Sequence, residues 1–218
     1  MDNIILISAA GAGKGTQAKL LKEKYNLTNI SVGELFRSIA KTGGELGKHI
    51  AELQKAGVLI EDKLTLEVVL DRLEKPDCAN GFILDGYPRN LEQAKMFDEA
   101  VKGTFKEVST VILLEVPKEI LMQRITGRVN CSSCGEIYNE YFDEFKKPGY
   151  CNKCDGDLYK RDDDNEESFN RRYNTFMTTV QDAIQYYKEK GILHVVDASI
   201  SKDYTFSQIQ KIIEGKND

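Results

Sequence analysis

The chain has 218 residues, of which 41% are hydrophobic and 30% charged, with a formal charge of −5. That balance suits a water-soluble globular fold, argues against extended disorder and disfavours broad nucleic-acid binding, while leaving room for a local cationic cleft. No stretch approaches the roughly twenty apolar residues of a membrane span. In MDNIILISAAG an acid precedes the short apolar run, which reads as a buried strand instead of a secretory leader, so the expectation is a cytoplasmic protein with no membrane partner.

Residues 3–7 form the first β run, and TQAKLLKEKY after the glycines puts Ala18, Leu21 and Tyr25 on one helical face. TNISV (28–32) is a second strand candidate. GELFRSIAK and HIAELQKAG read as helices broken near Gly43, Gly44 and Gly57, and DKLTLEVVLDRLEK as a helix that stops at Pro76. GFILD (81–85) and VSTVILLEV (108–116) are apolar without alternation, as strands buried on both faces of a parallel sheet are, with NLEQAKMFDEAV as the crossover between them. EILMQRITGR leads into a cysteine-bearing region, and NEESFNRRYNTFMTTVQDAIQYYKEK reads as one continuous helix up to Gly191. GILHVVD offers a last strand and YTFSQIQKIIEG a closing helix with Phe206, Ile209, Ile212 and Ile213 inward. Alternating strands and helices predict an α/β domain with a mostly parallel sheet covered on both faces. Two stretches break the alternation and read as inserts: the all-helical 31–60 and the cysteine-bearing 127–164.

The strand–loop–helix ISAAGAGKGTQ is the setting a phosphate loop requires. Gly11, Gly13 and Gly15 would let the backbone take positive φ and aim successive N–H groups at one anion, with the helix end and the mobile charge of Lys14 behind them. The strict spacing fails twice, because Ser8 stands where the first glycine belongs and Gly15 stands where a hydroxyl is expected after the lysine. That hydroxyl commonly binds Mg²⁺, so a metal here would be held by phosphates, by water and by another acid. Asp85, at the end of GFILD, is the candidate, with capping of the turn before Gly86 as its structural alternative.

Five cysteines are present. Cys131, Cys134, Cys151 and Cys154 form two CxxC knuckles, the arrangement tetrahedral zinc prefers, and four thiolates leave no open position, so a structural site is expected. Cys78 stands apart and reads as a half-buried thiol near a turn. His49 and His194 pair with no nucleophile or knuckle in the sequence.

GAGKGTQ, ISVGELFR, ILDGYPRNLEQA, the Gly127–Arg128 pair and LYKRDDDNEE resemble the adenylate kinases, in order and across almost the whole chain, and the cysteine insert resembles that of the long, zinc-bearing variety. DGYPR with a glutamine four residues on is the most specific of these. The resemblance implies a P-loop NTPase-like three-layer α/β fold with a core at 1–30, 61–126 and 165–218, a nucleoside-monophosphate arm at 31–60 and a zinc-bearing lid at 127–164. It implies a monomer that converts MgATP and AMP to two ADP, with zinc in the lid and Mg²⁺ on ATP. In its terms Lys14, Arg89, Arg128, Arg161 and Arg172 are catalytic. Gly11, Ala12, Gly13, Lys14, Gly15, Thr16, Arg124, Arg128, Ile137 and Tyr138 would meet ATP. Val32, Arg37, Val58, Leu59, Ile60, Gly86, Tyr87, Pro88, Arg89, Gln93, Arg161 and Arg172 would meet AMP. Asp163 and Asp164 match lid acids that pair with clamp arginines or order water around magnesium; capping the next helix is the alternative.

Guanidinium suits phosphate because its planar fork meets two oxygens at once. Gln93 offers adenine a donor and an acceptor, whereas the related UMP/CMP kinases tend to have asparagine there; Val32, where adenylate kinases commonly have threonine, pulls towards the pyrimidine kinases. Val129 replaces a frequent second arginine, and Asn139 a frequent histidine. The rivals to an adenylate kinase are thus a UMP/CMP-type kinase and a zinc-ribbon binding module with a regulatory nucleotide site.

Overall fold

A computed structural model describes residues 2–56 and 58–215, with backbone only at 55 and 56; Gly57, read above as a helix breaker, lies outside the described residues. The first half of the chain runs β1 (Asp2–Ile7), α1 (Lys14–Tyr25), β2 (Thr28–Ser31), α2 (Val32–Lys41), α3 (Gly44–Ala56), α4 (Asp62–Leu73), β3 (Gly81–Asp85) and α5 (Leu91–Val101). Then follow β4 (Thr110–Glu115), α6 (Lys118–Thr126), β5 (Arg128–Cys131), β6 (Ile137–Asn139) and β7 (Leu158–Tyr159). The chain closes with α7 (Glu166–Thr179), α8 (Gln181–Glu189), β8 (Leu193–Asp197) and α9 (Lys202–Ile213).

Five parallel strands in the order β2-β3-β1-β4-β8 make the central sheet. Successive residues of β1 point to opposite faces, and both faces are dry: Ile4 and Leu6 pack with Leu21, Leu121, Ile125 and Ile209, while Ile5 and Ile7 pack with Val69, Phe97, Ala183 and Tyr187. This explains the unbroken apolar runs, since each fully buried aliphatic side chain contributes about 1.5–3 kcal/mol only where a helix covers it. The order changes direction at β1, so the loop after it opens at a switch point between strands led to either side, where α/β sheets bind ligands. Leu6 and Ser31 both pair with Asp85, which aligns the carboxyl ends of β1, β2 and β3.

The cysteine-bearing stretch forms its own antiparallel sheet, β6-β5-β7. The stretch after β2 is helical through α2 and α3, and α3 begins at Gly44, earlier than its sequence pattern suggested. The expected strand 28–32 ends at Ser31; Val32 instead starts α2, where its side chain is buried in the core. The single long helix expected before Gly191 is two, broken at Val180. Thr175, Thr178 and Thr179 each donate a hydroxyl hydrogen bond to the carbonyl four residues back, which competes with the helical ladder and bends the chain there, and Val180 turns into the core. Cys78 is fully buried, not half-buried, in the short turn Pro76–Cys78. No helix among the described residues is long and apolar enough to cross a membrane.

Candidate active site

The loop from β1 to α1 turns through Gly11 (φ 90°) and Gly13 (φ 93°). Gly13 caps α1 without a side chain, and the first helical turn holds no acid, so the leading N–H groups and the positive helix end stay available to an anion. Gly15 departs from expectation: it is helical, with no positive φ, and what its missing side chain provides is open space above the first turn. Thr16 follows it, exposed, while Ala12 is buried.

Lys14 folds back under this loop. Its ammonium donates to the Ser8 hydroxyl at 2.9 Å and the Ser8 carbonyl at 3.0 Å, so the residue that breaks the glycine spacing supplies the lysine's resting partner. Burial pushes the Lys14 pKa below the usual lysine range; Asp85 acts against that, and Arg89 and Arg128 add to it. Arg89 follows the same logic: crowding by protein lowers its pKa although the side chain reaches water, Asp85 opposes, and Arg172 and Arg37 reinforce. Two cations, Lys14 of α1 and Arg89 of the β3–α5 loop, thus feel the carboxylate at the end of β3, while Arg128 of β5 lies near enough to act on Lys14, and Arg37 of α2 and Arg172 of α7 near enough to act on Arg89.

Around that centre the arginines are held individually. Arg128 makes a two-pronged pair with the buried carboxylate of Asp164, its Nε 2.8 Å from Oδ2 and its Nη2 bonded to Oδ1. Arg172 donates to Asp163 Oδ2 at 2.9 Å and to the Asp163 carbonyl at 2.8 Å. The acids therefore pair with arginines, and the cap of α7 is Asn165. Arg161 donates to the Asn130 side chain at 3.1 Å. Arg37 faces Glu34 at 3.5 Å on the exposed side of α2. Arg124 grips the carbonyls of Ala198 and Ser199 at 2.9 and 3.2 Å; burial lowers its pKa and Asp197 opposes.

On the other side of the cleft, Gln93 is buried at the start of α5. Its Oε1 accepts from the Arg89 backbone N–H at 2.8 Å and its Nε2 donates to Asp62 at 2.7 Å, leaving one N–H and one lone pair. Tyr87 is buried edge-on against Phe97 and donates its hydroxyl to the Gln93 carbonyl. Val58 is exposed, Leu59 half-buried and Ile60 buried. Ile137 is exposed on β6, and Tyr138 points its hydroxyl at the Cys151 sulfur, 3.3 Å away. His49 meets Glu61 at 3.2 Å, outside this constellation.

The four knuckle sulfurs lie within 4.8 Å of one another, with Cys131–Cys154 at 3.5 Å and Cys134–Cys151 at 3.6 Å. A tetrahedral zinc with bonds of about 2.3 Å needs sulfurs about 3.8 Å apart, so this cluster can hold one. Backbone N–H groups of Cys134 and Ser133 favour the Cys131 thiolate. At Cys151 burial works the other way, but the Tyr138 hydroxyl and the Lys153 N–H prevail and bring its pKa to about 6.

Sequence reading missed Asp62, Asn130 and Ser8 as partners of site residues. Asp62 lies 31 positions from Gln93 and Asn130 31 from Arg161, so only the fold brings them together.

The adenylate kinase family model matches residues 6–192. The adenylate kinase of Archaeoglobus fulgidus is 42% identical over 212 residues, 97% of this chain and 98% of its own. That of Thermodesulfovibrio yellowstonii is 42% identical over 213 residues, 98% and 99% of the two chains, and that of Clostridium tetani 39% identical over 215 residues, 99% and 100%. With a family model over most of its length and relatives aligned end to end, this chain belongs to the adenylate kinase family.

Proposed function

We propose that Lys14, Arg89, Arg128, Arg161 and Arg172 carry out, in the cleft described above, the reaction this family membership assigns: reversible Mg-dependent transfer of the terminal phosphoryl group of ATP to AMP, giving two ADP. The single observation that supports the assignment of residues is the mutual proximity of cations from separate segments: Lys14 and Arg89 both feel Asp85, Arg128 acts on Lys14, and Arg172 acts on Arg89. The phosphate of AMP is already largely dianionic near neutral pH, with a second pKa of about 6, so the acceptor needs no base. What remains is to hold two polyanions in line and neutralise the charge of the moving group, which a lysine and several guanidinium groups do without proton transfer.

ATP phosphates would rest on the backbone of residues 11–16 with Lys14, and its base between Arg124, Ile137 and Tyr138. AMP would lie against Val32, Val58, Leu59, Ile60 and the 86–89 turn, its phosphate on Arg37 and Arg89 and its base at Gln93. Magnesium, when bound, supplies charge neutralisation at the phosphates; Asp85 is the acid suited to hold its water. Zinc in Cys131, Cys134, Cys151 and Cys154 supplies a structural clip. The chain then divides into a core (1–30, 61–126, 165–218), an AMP arm (31–60) and a zinc-stapled lid (127–164), and works as a cytoplasmic monomer. Closure over the nucleotides excludes the water that would otherwise accept the phosphoryl group; the adenylate kinase lid is itself a general example of such gating.

A coupled ADP-release assay across AMP, CMP, UMP and GMP tests the assignment. AMP is expected to lead by at least about tenfold, since a missing hydrogen bond to a buried polar group discriminates strongly. Val32 favours the pyrimidine reading, and a lead for UMP or CMP would establish it.

A further inference from the structure

Glutamine is an ambiguous reader of a purine. Its amide can meet adenine, whose 6-amino group donates and whose N1 accepts, but flipped by a half-turn it meets hypoxanthine or guanine equally well, where O6 accepts and N1–H donates. With the ribose and phosphate anchoring the base in one orientation, discrimination between the two edges requires that the flip be prevented. Here the two neighbours of the Gln93 amide have fixed and opposite character. The Arg89 backbone N–H can only donate, and it meets Oε1 at 2.8 Å; the Asp62 carboxylate can only accept, and it meets Nε2 at 2.7 Å. A flipped amide would set N–H against N–H and oxygen against carboxylate in a site where Gln93 is only 2% exposed.

Asp62 is itself fixed. It opens α4, and the Asn90 side-chain amide donates to its two oxygens at 3.1 and 3.3 Å. Asn90 in turn caps α5 by accepting from the Gln93 backbone N–H at 2.7 Å, so the capping residue of α5, its Gln93 and the first residue of α4 form one hydrogen-bonded unit.

We infer that Asp62 is a specificity-determining positioning residue: by locking the Gln93 amide in one orientation it makes the site prefer 6-amino purine monophosphates to 6-oxo ones. The inference rests on the reading of Gln93 as the residue facing the base. It also supplies a discrimination that Val32, buried and without a hydroxyl, does not.

The test compares kcat/KM for AMP and for inosine monophosphate, which differs from AMP at the 6-position and in the proton on N1. The wild type is expected to favour AMP at least about tenfold, and Asp62→Ala to lower that ratio at least about threefold, with Asp62→Asn, whose own amide can turn with Gln93, lowering it too. The ratio is internal to one preparation, so partial unfolding of a variant scales both values and leaves it unmoved; a merely structural role for Asp62 would do the same. Gln93→Leu is the companion variant. If it depresses AMP turnover while the ratio stays at the wild-type value in both Asp62 variants, the lock is overturned and Gln93 keeps its role. If Gln93→Leu leaves AMP turnover intact, or the wild type does not separate the two monophosphates, both readings fall.

Discussion

Lys14, proposed above as a catalytic residue, works against the fold that holds it. Burial lowers its pKa relative to the unfolded chain, so the folded state binds its proton less tightly. The cost is therefore fully present below the folded pKa and disappears as pH rises through the unfolded value of 10.5. Lys14→Met removes the buried charge and keeps the length. It is expected to raise the melting temperature of the nucleotide-free protein near pH 7, by an amount that shrinks as pH approaches and passes 10.5. The same variant should lose at least about a hundredfold in kcat, because a preorganised cation at the transferring phosphate is gone. Melting curves and turnover of one preparation read both outcomes; a melting temperature that falls at pH 7 would show the Ser8 hydrogen bonds outweighing desolvation.

Among the elements, the small sheet β6-β5-β7 buries few apolar side chains of its own. Val129 on β5 is buried, but Tyr141 and Phe142 just beyond β6 and Tyr159 on β7 are exposed, so side chains alone give these strands little core. A metal held by the knuckles would fill that gap, and Gly127 sets how closely the sheet meets α6: a side chain there would lie 2.5 Å from both Asn139 Oδ1 and the Tyr141 ring. Asn139 donates to the Arg124 carbonyl at 3.0 Å, so the residue found in place of a histidine stitches the sheet to the end of α6. Chelation or Cys134→Ser is expected to remove about one zinc per chain and to make residues 127–164 the first stretch cut by a protease, with the parallel sheet still folded. Metal content and the masses of the first fragments measure this. First cleavage elsewhere, with the metal lost, would show that the segment stands without the clip.

Across the whole molecule, ion pairs among the described residues link α1 and α7 to the cysteine-bearing segment: Arg172 meets Asp163 at 2.9 Å, and Lys19 of α1 meets Glu136 at 3.6 Å, with Glu136 also meeting Lys153 at 3.3 Å. Lys19 is 56% exposed, so screening leaves such a pair about 0–1 kcal/mol. On the reading proposed above, closure is driven by the nucleotide itself, through the guanidinium groups on β5 and α7. Accordingly Glu136→Gln is expected to change KM for ATP by less than about threefold at low salt, with the difference vanishing as salt is raised. Steady-state kinetics at two ionic strengths decide it, and a tenfold, salt-resistant change would make the pair a true latch.

Much of this was legible in the chain before any coordinates. The glycine loop, the two buried apolar runs and the cysteine knuckles are local patterns, because backbone freedom, two-sided burial and thiolate pairs each demand particular residues at short, regular spacing. The break at Val180 and the start of α2 at Val32 run against the local pattern, since side-chain hydrogen bonds and core packing override the periodicity, and Gly15 is taken up by the first turn of α1. Least legible was the set of partners that aims the site: Ser8 under Lys14, Asn130 on Arg161 and Asp62 on Gln93. Spacing singled out the glycine loop and the cysteine knuckles, and the family resemblance supplied the arginines and Gln93 as candidates for phosphate and base. The direction in which each one points depends on neighbours that are mostly dozens of residues away, and only a folded sheet, with its strand ends aligned at Asp85, brings them within hydrogen-bonding distance.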